Sequence, residues 1–333
     1  MTVMMHRRSV LALSAAAMAG TLARQARAAD TPVTVAVSSN SLAYGGLRIG
    51  ELAGLFQRHG LGPKIIVMES GNAAMAAVLG QSAAFSGAGP GEVLAARVRG
   101  RDIVIVTNVY RGLLGSLLLA KPVAEKLGVA PNAPVEQRLR ALDGLSIAAP
   151  SATSAYLTPY KSAAETVGAR IKFVYMTQPA MVAALQVGAV QGMAGAAPFS
   201  LTPIVNGSGV LWISGPKGDL PPASRPSSSA CLQTTADYAR GHPEVVQALQ
   251  AVFVDVGTLI KGQPDQAKAL LAKAFPQLEP PVLEAAFAES ADNWSQSAMT
   301  LDDIRQEIRI QESAGSLPGV GAIDAAAVLL GAA

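Results

Sequence analysis

Residues 64–90 read KIIVMESGNAAMAAVLGQSAAFSGAGP, and residues 172–198 read KFVYMTQPAMVAALQVGAVQGMAGAAP. At a shift of 108 the two stretches run together without a gap. Lys64, Met68, Ala76, Gly80, Gly87, Ala88 and Pro90 meet identical residues at Lys172, Met176, Ala184, Gly188, Gly195, Ala196 and Pro198. Each copy opens on an apolar β-type run, continues into an Ala/Leu-rich helical stretch closed by glycine, and ends in a short strand entering a small-residue turn. Upstream, at a shift of 112, Val37-Ser38-Ser39 faces Ala149-Pro150-Ser151, and Tyr44 faces Tyr156. The chain therefore reads as a doubled unit of alternating strand and helix.

Extending outward, the first unit predicts strands at 31–37, 64–68, 83–85 and 103–109, with helices from Asn40 to His59, over 72–79 and over 92–98. The second predicts strands at 145–149, 171–176 and 190–194, a helix opening at Ser151 and running to Thr166, and another over 180–185. Further strands follow at 210–214 and 230–234, separated by a Pro/Gly/Ser-rich loop over 217–229. Alternation of this kind gives mostly parallel sheets with helices on their faces. Ligands of such sheets sit beyond the carboxyl ends of the strands. Two similar units facing each other thus enclose a cleft lined by the residues just after each strand. The tail is helical. Val245, Val246, Leu249, Val252, Phe253, Val256, Leu259 and Ile260 recur at helical spacing, and 266–274, 281–288 and 301–312 form further helices.

The chain has 333 residues, 50% hydrophobic and 15% charged, with one cysteine. That composition excludes a disordered chain, and a single Cys excludes an intramolecular disulfide framework or a cysteine-rich zinc site. Residues 1–28 read as a signal peptide: basic His6-Arg7-Arg8, an apolar run from Val10 to Leu22, then Ala26-Arg27-Ala28 for cleavage. Arg7-Arg8 also resembles a twin-arginine signal. No Cys follows the cleavage site, so no lipid anchor is expected there, and no later stretch reads as a membrane span. The segment holds Arg7, Arg8, Arg24 and Arg27 and no acid. Removing those four from 26 basic residues leaves 22 against 23 acidic ones. Nucleic acid is therefore not an expected partner.

Five stretches in order resemble the periplasmic nitrate/sulfonate/taurine family of ABC-importer substrate-binding proteins. They are Ala53-Gly54-Leu55-Phe56-Gln57-Arg58-His59-Gly60-Leu61, Glu69-Ser70-Gly71, Phe85-Ser86-Gly87-Ala88-Gly89, Leu142-Asp143-Gly144-Leu145 and His242-Pro243-Glu244-Val245-Val246. The resemblance covers about 33–315. It implies an α/β, two-lobed periplasmic-binding-protein fold of type II, with two strands crossing between mixed, mostly parallel sheets flanked by helices. Lobe one would be 30–112 with 225–333, lobe two 113–215, and the hinges about 108–116 and 214–229. It also implies a monomeric periplasmic receptor for a small organic anion, such as a sulfonate, a taurine-like compound or a carboxylate. The receptor would deliver its solute to an inner-membrane permease and its ATPase, with no enzyme activity, cofactor or metal. A sensor module for a membrane kinase shares this architecture, as does a pyrimidine synthase of thiamine metabolism. That synthase relies on a lysine and a histidine, and no matching His is evident here. Many relatives carry a Trp-Glu-Pro or similar tripeptide where this chain has Ala196-Ala197-Pro198. That departure removes a bulky aromatic and a carboxylate, which favours a larger ligand or one without an ammonium group, and with Glu69 the one acid among the cleft candidates a cationic ligand is disfavoured.

The candidate ligand contacts follow from strand ends and helix starts. Ser151, Thr153 and Ser154 stand where unpaired backbone N–H groups and the helix dipole favour carboxylate, sulfonate or phosphate oxygens, although the same residues serve as plain N-caps. Ser39, Asn40 and Ser41 are the first-unit counterpart, with Tyr44 as an aromatic wall. Gly71, Asn72 and Gln178 open matching helices, the latter two as amide contacts or local caps. Ala88, Gly89 and Pro198 close the matching turns. Within Gly87-x-Gly89-x-Gly91, Pro90 interrupts a phosphate loop, so close backbone approach to a small ligand is the better reading. Arg111 pairs with a ligand acid group or forms a hinge salt bridge. Cys231 reads as a buried small hydrophobe, and His59 and His242 fall at helix ends away from the cleft strands.

Overall fold

The computed structural model describes residues 30–68 and 70–331. The expected signal peptide lies outside the described residues, as does Glu69. Ten strands form two sheets: β1 (Thr31–Val37), β2 (Leu61–Val67), β3 (Phe85–Ala88), β4 (Ile103–Arg111), β5 (Ser116–Ala120), β6 (Ser146–Ala149), β7 (Lys172–Tyr175), β8 (Gly192–Gly195), β9 (Gly209–Ser214) and β10 (Ser228–Thr235). The first sheet runs β2-β1-β3-β10-β4 and the second β7-β6-β8-β5-β9. In each, β10 or β5 runs antiparallel to both neighbours while the remaining pairs are parallel. The two orders superpose element for element, so the doubling read from 64–90 and 172–198 extends to the whole sheet. The chain leaves the first sheet between β4 and β5 and returns between β9 and β10. The strand inserted fourth in each sheet is thus the one that has just crossed over.

Helices cover the sheets as their apolar spacing requires. Helix Pro243–Gly262 buries Val245, Val246, Leu249, Val252, Phe253, Val256 and Ile260 in the first core, together with Val33, Val35 and Phe85 of the sheet. At 20 residues it is long and apolar enough to cross a membrane, contrary to the sequence expectation that no such stretch follows the leader. Here that apolar stripe is buried in the core. Helix Gly45–Leu52 packs closely against it at Gly50, and against Trp294 at Gly45, because neither glycine carries a side chain. A Cβ on Gly45 would lie 2.5 Å from the Trp294 ring, and one on Gly50 2.9 Å from Val256. The second sheet, through Leu117, Ile147 and Trp212, is packed on Leu139, Tyr160 and Ala163.

β5 lies where no strand is expected, and three further elements differ for a local reason. The helix expected from Ser151 begins at Thr158, since Pro159 lacks an N–H and its ring would clash inside a helix begun earlier. Residues 151–157 instead form turns, with Ser154 N–H on Ser151 O and Leu157 N–H on Ser154 O. The helix expected over 40–59 breaks at Gly54, whose φ of 70° is open to glycine without strain. The strand expected at 83–85 is shifted to β3, because the N–H groups of Ser82 and Ala83 both bond Ala77 O and wrap the preceding helix end. Gly87 and Ala88, read as a turn, pair with Leu232 and Cys231.

Candidate functional site

The carboxyl ends of the parallel strands of both sheets face a shared cavity of about 20 Å³, room for roughly one water molecule. From the first sheet's side come Ser38 and Ser39 after β1, Gly71 after β2, Gly89 and Glu92 after β3, and Ser229 at the start of antiparallel β10. From the other side come Pro150, Ser154, Ala155 and Tyr156 after β6, and Gln178 after β7. A second cavity of about 350 Å³, lined mainly by apolar residues such as Leu42, Leu114, Leu201 and Val282, lies off these strand ends. The smaller one collects the polar groups and is the functional candidate.

Local sequence explains how each group arrives there. Ser70 caps helix Gly71–Leu79 by accepting the Ala73 N–H at 3.1 Å, which turns Gly71 into the cleft. Pro90 starts helix Pro90–Val98 directly after β3, placing Glu92 in its first turn. Gln178 begins helix Gln178–Gln186 and accepts the Ala196 N–H on Oε1 at 2.8 Å. Three helix N-termini therefore meet at the cavity, and the helix dipoles place partial positive charge there. Hydroxyls fill the remainder. Ser38 Oγ lies 2.7 Å from Tyr44 Oη, Ser39 Oγ donates to Ser41 Oγ at 2.9 Å, and Ser229 Oγ donates to Gly112 O at 2.7 Å.

The structure redistributes several expected contacts. Ser39, Gly71, Gly89, Ser154 and Gln178 line the cavity. Ser151 reaches it indirectly, donating from Oγ to Glu92 Oε1 at 3.3 Å. Ser41 is buried behind Ser39, bonded to it and to Tyr156. Tyr44 is not a wall: it is 2% exposed and donates to Gly87 O at 2.6 Å inside the first core. Its counterpart in the doubled unit, Tyr156, is the aromatic lining. Asn40 is half-buried and Asn72 exposed, and neither lines the cavity. Thr153 is buried with its carbonyl against Gln311 Nε2, and Ala88 offers its carbonyl to Gln233 Nε2. Pro198 is buried outside the lining, and the preceding Ala197 carbonyl accepts the Leu42 N–H at 2.8 Å, joining the two lobes. Arg111 forms the salt bridge, not the ligand contact. It is bidentate to Asp303 at 2.8 and 3.1 Å and also donates to Ala298 O. Burial pushes the Asp303 carboxyl up, but Arg111, the Thr300 backbone and Ser227 outweigh it and hold it below the ordinary value. Cys231 is fully buried, its thiol pushed up by that burial.

Sequence reasoning passed over six of the lining residues, Ser38, Glu92, Pro150, Ala155, Tyr156 and Ser229, of which Glu92 is the one with a carboxyl. It is 4% exposed, and burial, with the nearby Glu307 carboxyl, pushes its pKa up to about 8. Glu307 is itself pushed up to about 7 by burial. Glu92 is the one acid among the described residues that line the cavity. The available signal was Glu92's place three residues after Gly89, at the end of a cleft strand. Among the described residues no Lys, Arg or His lines the cavity, and no cluster of three or more His, Cys, Asp or Glu is arranged for a metal.

The sequence over residues 26–275 matches the family model described as NMT1-like. The chain belongs to the NMT1-like family. No curated protein matches it. Among solved structures, the NMT1-like chain is similar to a Bordetella bronchiseptica protein, at 19% identity and a TM-score of 0.75, over 90% of this chain and 94% of the other. It is similar to the alkanesulfonate-binding protein of Xanthomonas axonopodis pv. citri bound to MOPS, at 17% identity and 0.70, over 87% and 95%. It also resembles the periplasmic nitrate-binding protein of Synechocystis PCC 6803, at 12% identity and 0.67, over 87% and 83%. At these identities the likeness establishes the two-lobed periplasmic-binding-protein fold for this NMT1-like chain.

Proposed function

We propose that the protein is the exported solute-binding component of an ABC importer, capturing a small organic acid, a sulfonate or carboxylate, between its lobes. It would hand that solute unchanged to an inner-membrane permease and its ATPase. The observation carrying this reading is the convergence of three helix N-termini and a set of serine hydroxyls on one cavity at the strand ends. Such donors stabilise an anionic oxygen group without a cationic side chain. Residues 30–112 with 225–333 would move as one lobe and 113–215 as the other, about the crossings near 108–116 and 214–229. The cavity is far smaller than a sulfonate, so binding needs the lobes to part and close again. Residues 1–28 would direct export to the periplasm.

A ligand that binds only the folded chain raises its melting temperature, with stabilisation growing as RT ln(1 + [L]/Kd). Differential scanning fluorimetry against a panel of alkyl- and aminoalkyl-sulfonates, carboxylates and amino acids should show concentration-dependent shifts for a small subset. Native mass spectrometry of the same samples should show one solute per chain. A panel that leaves the melting curve unmoved at millimolar concentration removes this reading.

A further inference from the structure

We infer that Glu92 receives a protonated amine of the solute, so that the captured molecule is a zwitterion. Its acid group would meet the helix N-termini and hydroxyls, and its ammonium the buried carboxylate. This deepens the receptor reading proposed above and rests on it.

Glu92 Oε2 is buried without a hydrogen-bond partner. It is the one such side-chain atom among the described residues lining the cavity, where Ser38, Ser39, Ser229 and Gln178 all engage protein partners. An unpartnered oxygen on a buried carboxyl is costly, and an ammonium that takes the place of its proton supplies the missing partner. The position is also built for the group. Cβ atoms on Gly71 and Gly89 would lie 2.6 and 3.2 Å from the Glu92 oxygens, so two glycines leave the carboxyl its space at the cavity wall. Ser151 Oγ holds Oε1 and leaves Oε2 free. The titratable groups around it add no positive charge. Glu307 comes from helix Leu301–Ser313, packed on Glu92's own helix. Tyr44, Tyr156 and Cys231 come from the first-lobe turn, the loop after β6 and β10. An incoming ammonium ionises the Glu92 carboxyl and bonds to it, whereas a purely anionic solute leaves Oε2 without a partner.

With its pKa near 8, the Glu92 carboxyl is mostly protonated at pH 7 in the solute-free protein. Ammonium binding ionises it and releases that proton to buffer. The test is isothermal titration of the purified protein with matched pairs, 3-aminopropanesulfonate against propane-1-sulfonate and β-alanine against propionate. Each runs at pH 7 in buffers of different ionisation enthalpy. The amine of at least one pair should bind tenfold or more tighter than its partner, with release of close to one proton. Its affinity should rise with pH, by up to about tenfold per unit, and level off above pH 8. In Glu92→Gln the amine preference should fall toward unity and the proton release disappear. Equal or tighter binding of the amine-free partners, or amine binding without proton release, overturns the inference while leaving the receptor reading standing. Silence from every compound removes both. The proton count on the unmodified protein decides the matter even where the variant does not fold.

Discussion

Glu92 shows how one residue type serves two ends. An acid in the first turn of a helix ordinarily lies exposed against the helix dipole, and at sequence level nothing separates it from that role. Here Gly71 and Gly89 leave the carboxyl space to turn inward, and the burial that follows changes its acidity. The sign of the resulting pH dependence is fixed. In the unfolded chain Glu92 and Glu307 lose their protons near 4.5, whereas in the folded chain they hold them to about 8 and about 7. Between those values the native state binds more protons, so stability falls as pH rises, by at most about 1.4 kcal/mol per unit per carboxyl. Urea unfolding at pH 5.5 and 8.0 should therefore give a lower midpoint at the higher pH. Glu92→Gln should narrow the gap, since the amide has no proton to lose. An identical pH dependence in the variant would show that Glu92 is ionised in the native protein throughout this range.

Arg111 connects two elements. It ends β4, where the chain leaves the first sheet, and grips Asp303 in the first turn of helix Leu301–Ser313. Thr300 and Asp303 already close a capping box there, so one carboxylate serves both the helix start and the strand end. Arg111→Ala should lower stability by about 1.5–3 kcal/mol, the range for a charge-assisted hydrogen bond in a partly buried site. It should leave solute affinity within twofold, because the side chain is tied away from the cavity. A denaturant titration beside a binding titration checks both halves, and a large loss of affinity at unchanged stability would return Arg111 to the cleft. The elements legible from sequence were those whose pattern is local. The strand and helix runs of 64–90 and 172–198 repeat, and apolar spacing marks helix Pro243–Gly262. Others depend on partners the sequence does not display. β5 is a short apolar run that becomes a strand by inserting between β8 and β9. The Ser151 segment looked like a helix start until Pro159 is weighed. Tyr44 and Tyr156 occupy equivalent places in the doubled unit and both join the first core, yet only Tyr156 also lines the cavity.

At the scale of the molecule, closure rests on a few contacts between the lobes. Leu42 N–H reaches Ala197 O across the lobes, Ser151 reaches Glu92, and helix Leu301–Ser313 packs against both helix Pro90–Val98 and helix Thr158–Thr166. Gly91 lies at the tightest point. A Cβ there would collide with the Thr153 carbonyl of the opposing lobe and with the Gln311 amide. A backbone carbonyl cannot swing aside as a long side chain can, so Gly91→Val should act as a wedge. Its position in the first helical turn is compatible with a side chain, so the cost falls on the closed arrangement more than on either lobe. If solute capture requires the lobes to shut, the variant should keep a cooperative melting transition and yet bind any solute found by the melting panel at least tenfold more weakly. Its radius of gyration by small-angle scattering should exceed that of the unmodified protein holding the same solute, and should not contract when solute is added. Full affinity and a normal contraction in Gly91→Val would mean that the lobes capture their guest without coming as close as they do here, and the hinged-clamp account would fail with it.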